Sequence, residues 1–138
     1  MNNNNYSPHE LRSEEWIRKA HDDALSARSI VRHRDGAPSG VCFLAHQMTE
    51  KYLKAFFVAH KQWFPKIHAL GAMVEHCSAI DSSCKTLKDD AIFLNEFYVP
   101  TRYPGDYPEF SWKDADDAFR AACRIEKFVL KKLQKIKK

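Results

Sequence analysis

Apolar residues recur at intervals of three and four positions along most of this chain, and this spacing restricts it to helices that each bury one face. The first periodic segment begins at Ser13, where two glutamates follow a side chain able to cap a helix, and it extends for about twenty residues to Val31. The segment from Asp35 to Gly40 combines glycine, proline and serine, so it predicts a loop. A second and more apolar helix is predicted from about Val41 to His60.

The second half of the chain predicts three further helices. The spacing of apolar residues indicates a short helix from His68 to Cys77, and Ser83 is able to cap another that ends before Pro100. Ser111 and Asp114 then resemble a capping box at the start of the last helix. Four main helices and one short helix, joined by short connections, predict an all-α fold, an antiparallel up-and-down helical bundle.

Length and composition exclude several classes of protein. With 138 residues, of which 44% are hydrophobic and 29% charged, the chain has the composition of one globular domain. We expect residues 1–10 to form a disordered leader and residues 11–136 to form the bundle. The four cysteines have no metal-binding spacing, so we expect free thiols and neither a metal nor a cofactor. Neither a signal peptide nor a membrane-spanning segment is visible, which predicts a cytoplasmic protein without a membrane partner.

The net charge of +4 permits contact with phosphate groups without requiring it. Much of the surplus lies between Lys131 and Lys138, a stretch that contains five lysines. Lysines near the C-terminus of a helix are favoured by the helix dipole. The stretch is therefore more typical of a solvated helix end than of a dedicated nucleic-acid patch.

A polar stripe on the second predicted helix is the first candidate site. Its members fall at i, i+3, i+4 and i+7 and so share one face: Gln47, Glu50, Lys51 and Lys54. Two lysines one turn apart can hold a phosphate as point charges, and Glu50 can pair with Lys54. Spacing alone nevertheless favours an ordinary solvent-exposed face, because most exposed helix faces have this pattern.

Two further candidates lie outside the long helices. In the segment from Thr101 to Pro108, Arg102 offers a planar guanidinium suited to phosphate, and Tyr103 can stack on a base or pack the loop down. Loop residues often carry function, but prolines and tyrosines also simply fasten loops, so both interpretations stay open. His68 is more typical of a polar residue at a helix start than of a catalyst, because no second histidine lies at ligand spacing.

These signals together resemble one known family. Residues 45–55 are similar to the signature helix of the HEPN domain (higher eukaryotes and prokaryotes nucleotide-binding), which commonly has the pattern Ala-Gln-Gln-Ala-x-Glu-Lys-x-Leu-Lys-Ala. Residues 67–70 resemble the His-Asp-Leu element that follows it, with Ala69 in place of the aspartate. Residues 101–104 resemble the Arg-Tyr-Pro element that precedes the last helix. The three motifs occur in the family's order, and the resemblance covers about residues 16–129.

The resemblance implies a bundle of four to five helices, frequently a homodimer, that binds nucleotides or RNA. It also implies a minimal nucleotidyltransferase as a partner in a toxin–antitoxin-like pair. Many members are metal-independent ribonucleases built on an arginine followed, four to six residues later, by a histidine. On the matching positions, the implied ligand-binding residues are Gln47, Glu50, Lys51, Lys54, His68, Arg102 and Tyr103.

The ribonuclease motif is incomplete in this sequence. No histidine follows Arg102, and although Arg28 and His33 have the required spacing, they lie at the end of the first predicted helix. We therefore predict no catalytic residue, and the leading hypothesis is a non-catalytic module that binds nucleotide or RNA phosphate or pairs with a nucleotidyltransferase. One alternative is a ribonuclease that uses Arg102 with an unconventional acid. The other is a structural dimerisation module in which Glu50, Lys51 and Arg102 fasten the proline-rich loop to the second helix.

Overall fold

The computed structural model of the protein describes residues 12–64, 66, 69–97 and 109–136. Within these ranges the chain is helical throughout, apart from its connections, and contains no strand. The elements in chain order are α1 (Ser13–His33), α2 (Pro38–Ala59), α3 (Leu70–Ile80), a 3-10 helix (Ser82–Leu87), α4 (Lys88–Asn95) and α5 (Trp112–Ile136). The predicted all-α bundle is confirmed, whereas residues 1–10 of the predicted leader lie outside the described ranges.

The start of α2 differs from its prediction, whereas α1 starts as predicted but is capped in another way. The segment predicted as a loop up to Gly40 is wrong at its end, because α2 already begins at Pro38. Proline is favoured in the first turn of a helix, where its fixed φ is suitable and its missing N–H would have no partner. The first helix begins at Ser13 as predicted, but its first turn is closed by Glu15, whose carboxylate accepts a hydrogen bond of 2.9 Å from the backbone N–H of Arg12.

The last helix begins with the predicted capping box. The carboxylate of Asp114 accepts a hydrogen bond of 2.9 Å from the N–H of Ser111, and the N–H of Asp114 donates one of 3.0 Å to the Ser111 hydroxyl. Two backbone donors at the start of the helix are satisfied in this way. Aspartate therefore performs the role that glutamate or glutamine usually has in this motif.

The fourth predicted helix is divided into a 3-10 helix and the eight residues of α4. Ser83, the predicted cap, is itself a donor to Asp81, whose carboxylate accepts from the Ser83 N–H at 3.0 Å and from its hydroxyl at 2.6 Å. Asp81 also pairs with Lys132 of α5 at 3.1 Å. The bonds to Ser83 and Lys132 lower the pKa of Asp81 to about 2.

Helices α1 and α2 are antiparallel. Lys51, late in α2, pairs with Asp23 in the middle of α1, and Phe64, beyond the end of α2, packs against Trp16 near the start of α1. The same holds for α4 and α5, since Asp90 contacts Arg124 and the rings beside the connection between them, Phe97 and Phe110, pack at 5.0 Å. Specific long-range contacts thus show the up-and-down arrangement in these two helix pairs.

Helices α2 and α5 run in the same direction. Arg34, in the connection between α1 and α2, donates two hydrogen bonds of 3.0 Å to the carboxylate of Asp116 near the start of α5. Farther along both helices, the buried Tyr52 donates a hydrogen bond of 2.6 Å to the carboxylate of Glu126. One end of the bundle therefore contains the start of α1 and the ends of α2 and α5, and we call it the basal end.

The core combines small side chains on α1 with large ones on α2. Ala20, Ala24 and Ala27 are fully buried and allow the backbones of α1 and α2 to approach closely. The large buried side chains of α2 include Met48, Tyr52, Phe56 and Phe57. None of the helices in the described ranges is both long enough and apolar enough to cross a bilayer.

Candidate functional site

The predicted polar stripe of α2 lies against α1 and does not form an open solvent face. Glu50 is buried, with 7% of its surface exposed, and the side chains of Lys51 and Lys54 are only 26% and 19% exposed. Gln47 is half-buried on the same face. The solvent-exposed interpretation of the stripe is therefore wrong, although the prediction that the four residues share one face is confirmed.

Both lysines of the stripe are paired with carboxylates. Lys51 Nζ lies 2.6 Å from Asp23 Oδ2 of α1, and Lys54 Nζ lies 2.9 Å from Glu50 Oε2 one turn before it. The second contact is the predicted i, i+4 pair. We call Asp23, Glu50, Lys51 and Lys54 the polar seam between α1 and α2. A phosphate could bind these lysines only by displacing or competing with two carboxylates. The sequence pattern alone did not show this competition for Lys51.

His46 lies beneath the seam. It is fully buried, and its Nδ1 is 4.0 Å from Glu50 Oε1. The family pattern has glutamine where this chain has His46, so an imidazole here replaces an amide beside a buried carboxylate. Because His46 is fully buried, it is not a group that meets a ligand at the surface.

Two aromatic rings enclose the ammonium group of Lys54. Its Nζ lies 5.1 Å from the centre of the Trp16 ring and 5.2 Å from that of Phe64, and these two rings meet edge to face with centres 5.7 Å apart. Cation–π contacts of this kind contribute about 0.5–2 kcal/mol each, depending on desolvation. The Trp16 indole Nε1 is buried and has no hydrogen-bond partner within the described ranges. We call Trp16, Lys54 and Phe64 the aromatic–lysine cluster.

A residue that the sequence analysis did not select lies next to this cluster. Trp63 is 66% exposed, the largest exposed fraction among the large exposed apolar side chains of the described ranges. Lys61 and Lys66, on either side of it in the chain, are also exposed. The available signal was a pair of aromatic residues flanked by lysines in residues 61–66, just beyond the end of α2.

The structure brings together four of the seven predicted ligand-binding residues. Gln47 belongs to the same face as the polar seam and is half-buried there. The other three predicted residues, His68, Arg102 and Tyr103, lie outside the described residues. Within the described ranges, no group of three or more histidine, cysteine or carboxylate side chains is arranged to hold a metal ion.

The arginine and histidine with ribonuclease spacing do not form a pair. Arg28 lies over the ring of Phe119 of α5 at 5.3 Å, whereas His33 is exposed and its Nδ1 contacts the Ser29 carbonyl at 3.0 Å. Residues five apart on a helix point about 140° away from each other around its axis. Arg28 and His33 therefore cannot act together on one substrate within this chain.

The comparisons with known proteins agree with this fold. The HEPN domain model matches residues 13–133. The crystal structure of an archaeal HEPN homologue aligns with a TM-score of 0.72 and 27% sequence identity, over 89% of this chain and 98% of that one. A comparison with curated proteins gave no match. The family match extends from the first turn of α1 to the last turns of α5, and the chain therefore belongs to the HEPN domain family.

Proposed function

We propose that this chain is a non-catalytic HEPN module that binds a nucleotide, or a nucleotide unit of RNA, at the basal end of the bundle. The observation that carries this proposal is the exposed ring of Trp63, 66% exposed between two lysines and beside the aromatic–lysine cluster. A stacked base contributes about 1–3 kcal/mol when it covers an aromatic side chain of this kind. Lys61 and Lys66 would contribute positive charge for the phosphates.

The backbone holds Trp63 in a defined position. The N–H of Gln62 donates to the Phe57 carbonyl and that of Lys61 to the Val58 carbonyl, both at 2.9 Å. Lys61 has a φ of 57°, in the left-handed region, which ends α2 and turns the chain outward. Phe64, packed on Trp16, anchors the other side of the segment. A ring held between two anchors loses little conformational freedom on binding, which favours affinity.

The polar seam has a supporting role in this proposal. Lys51 pairs with Asp23 of α1, and Lys54 lies over the ring of Trp16, so both lysines position α1 against α2 and hold the ring on which Phe64 packs. Gln47 offers an amide, and His68, Arg102 and Tyr103 would contribute the hydrogen bond, guanidinium and ring that the family motifs imply. The lack of a histidine after Arg102, together with the separation of Arg28 from His33, favours binding without cleavage.

Thermal unfolding in the presence of ATP, GTP and a short RNA tests the proposal. A ligand that binds only the folded state at 100 times its Kd adds about 2.7 kcal/mol, which for a domain of this size raises the Tm by on the order of 10 °C. We expect Trp63→Ala to abolish this shift and Trp63→Phe to retain most of it. Ile92→Ala, which shortens another exposed apolar side chain on α4, is the matched control. An unchanged Tm at millimolar concentrations of every ligand would rule out nucleotide binding.

A structural assembly module is the second candidate, and the pairing of both seam lysines favours it. In this case the family motif stabilises the bundle, and the protein acts by forming a homodimer or by associating with a minimal nucleotidyltransferase. Light scattering after size-exclusion chromatography, with the protein alone and co-expressed with the product of the neighbouring gene, tests this candidate. A monomer in both preparations would contradict it.

A further inference from the structure

The exposed face of α5 carries a continuous row of positive charges. Six exposed cationic residues lie along it: Lys113, Arg120, Arg124, Lys127, Lys131 and Lys135. The first three are compensated, since Lys113 and Arg120 contact Asp117 at 2.7 and 3.3 Å and Arg124 contacts Asp90 at 2.9 Å.

The last three members of the row have no ion pair with any described residue, and we call Lys127, Lys131 and Lys135 the lysine row. From residue 127 onward the sequence contains no aspartate or glutamate. Among the residues that the structure describes, Asp81 is the carboxylate that pairs with this part of α5, and its partner is Lys132 on a neighbouring face. The surface changes from mixed charge to a single sign within one helix.

The helix dipole accounts for only part of this arrangement. Its influence falls off within the last turn of a helix, and α5 ends at Ile136. Lys135 lies in that turn, whereas Lys127 and Lys131 lie one or more turns before it. Lysines at i, i+4 repel one another and destabilise an isolated helix. An arrangement that is unfavourable for the fold alone suggests a ligand of opposite charge.

The chemistry of the row indicates the kind of ligand. Lysines four residues apart on a helix are separated by about 6 Å along its axis, so the three groups present evenly spaced point charges. Ammonium groups bind phosphates as point charges and carry no information about bases. The apolar face of α5 is buried in the core, so the helix cannot insert into a bilayer as an amphipathic anchor would. Evenly spaced charges without an exposed apolar face fit the backbone of a nucleic acid.

We propose that the lysine row binds the phosphate backbone of RNA without regard to sequence. This inference rests on the proposed function, because it assigns RNA rather than a mononucleotide as the ligand. Helix α5 ends at the basal end, where Trp63 lies, so a strand of RNA has charge along α5 and a stacking ring at the same end of the molecule. A mononucleotide would use only the ring and its neighbouring lysines.

The test combines three proteins and two ligands. The variant Lys127→Gln/Lys131→Gln/Lys135→Gln removes the row, and Lys113→Gln/Arg120→Gln/Arg124→Gln removes three positive charges from the same helix as a matched control. Fluorescence anisotropy measures binding of a labelled single-stranded 12-mer of uridine between 50 and 300 mM salt. Thermal unfolding with ATP measures mononucleotide binding by the same proteins.

We expect loss of the row to reduce RNA affinity on the order of 100-fold at 0.1 M salt and to lower the slope of log K against log salt by about 2, because each phosphate contact contributes about 0.7. The control should change affinity by less than about threefold, since its cations are already paired. The response of the Tm to ATP should be the same in all three proteins. These three results together support the inference.

Several outcomes would overturn it. An equal loss of affinity in both triple variants would assign the effect to net charge. RNA binding by the row variant at wild-type strength, or a wild-type protein that binds ATP and not RNA, would refute the lysine row while leaving the proposed function intact. Equal binding of the wild type to anionic vesicles or polyglutamate would show that RNA is not its particular ligand. If neither ATP nor RNA binds, the proposed function fails with it.

Discussion

Replacing Tyr52 with phenylalanine removes a single hydroxyl from the centre of the bundle and leaves the ring in place. That hydroxyl donates a hydrogen bond of 2.6 Å to the carboxylate of Glu126, and it is a direct polar contact between α2 and α5. A hydrogen bond to a charged group contributes about 1.5–3 kcal/mol. Because Glu126 is half-buried and can partly rehydrate, we expect a loss of about 2 kcal/mol at pH 7.

Urea unfolding followed by circular dichroism measures this loss, and a double-mutant cycle assigns it. Glu126→Gln keeps an acceptor oxygen but removes the charge, so it should cost about 1 kcal/mol by itself. Without the Tyr52 hydroxyl, the Glu126 carboxylate has lost the donor of this hydrogen bond, so removing its charge as well should cost little. The double variant should therefore be nearly as stable as Tyr52→Phe. Additive losses, or a loss below about 0.5 kcal/mol for Tyr52→Phe, would refute the reasoning.

The pH dependence of this loss is a second, independent check. Burial and the bond to Glu126 raise the pKa of Tyr52 above its ordinary value of 10.0. Above pH 10 the unfolded state can lose the proton while the folded state keeps it, so the wild type loses about 1.4 kcal/mol of stability per pH unit that the variant does not lose. The difference between the two proteins should therefore shrink as the pH rises above 10. A constant difference from pH 8 to pH 11 would mean that Tyr52 is not held in its neutral form.

Three further predictions concern contacts between elements. Lys51→Met breaks the pair with Asp23 and should lower the free energy of unfolding by about 1 kcal/mol. Asp23→Asn should cause the same loss, and the double variant should lose no more than either single variant. Asp81→Asn should cost about 1 kcal/mol at pH 7, a modest loss because the carboxylate is partly exposed. Because the pKa of Asp81 is lowered to about 2 from 3.8, the wild type should lose this advantage as the pH falls from about 4 to 2, and equal stability of the two proteins at pH 7 would contradict the prediction. Arg34→Gln removes both bonds to Asp116 and the contact with the Trp112 ring at 4.6 Å, and it should lower the Tm by a few degrees. Arg34→Lys should lower the Tm by less, because lysine keeps the charge but cannot form the paired bonds.

The sequence predicted the features that depend on neighbours along the chain. The apolar spacing located α1, α2 and α5, and the capping box at Ser111 and the pair between Glu50 and Lys54 follow from residues three or four positions apart. Such contacts are encoded within one or two turns, where helix geometry fixes the distances. The motif order also indicated the family that the whole-chain match shows.

Features that depend on another helix were beyond the sequence pattern. Spacing along α2 showed that Lys51 and Lys54 share a face, but not that α1 covers this face and contributes Asp23. The exposure of Trp63 was not predicted either, because it depends on Phe64 packing against Trp16 of another helix and leaving Trp63 in solvent. Periodicity identifies which residues lie together, whereas burial depends on what packs against them.

The three alanines of α1 set the distance between α1 and α2, and this distance determines whether the ion pair of the polar seam can form. Ala20, Ala24 and Ala27 are fully buried, so the separation of the axes of α1 and α2 depends on the absence of side-chain atoms at these positions. A leucine at Ala24 would move α1 outward and lengthen the contact between Asp23 and Lys51 without altering either residue. The ion pair is in this sense a measure of interhelical distance. Variation on the opposite face of α1, around the exposed Leu25, leaves that distance unchanged.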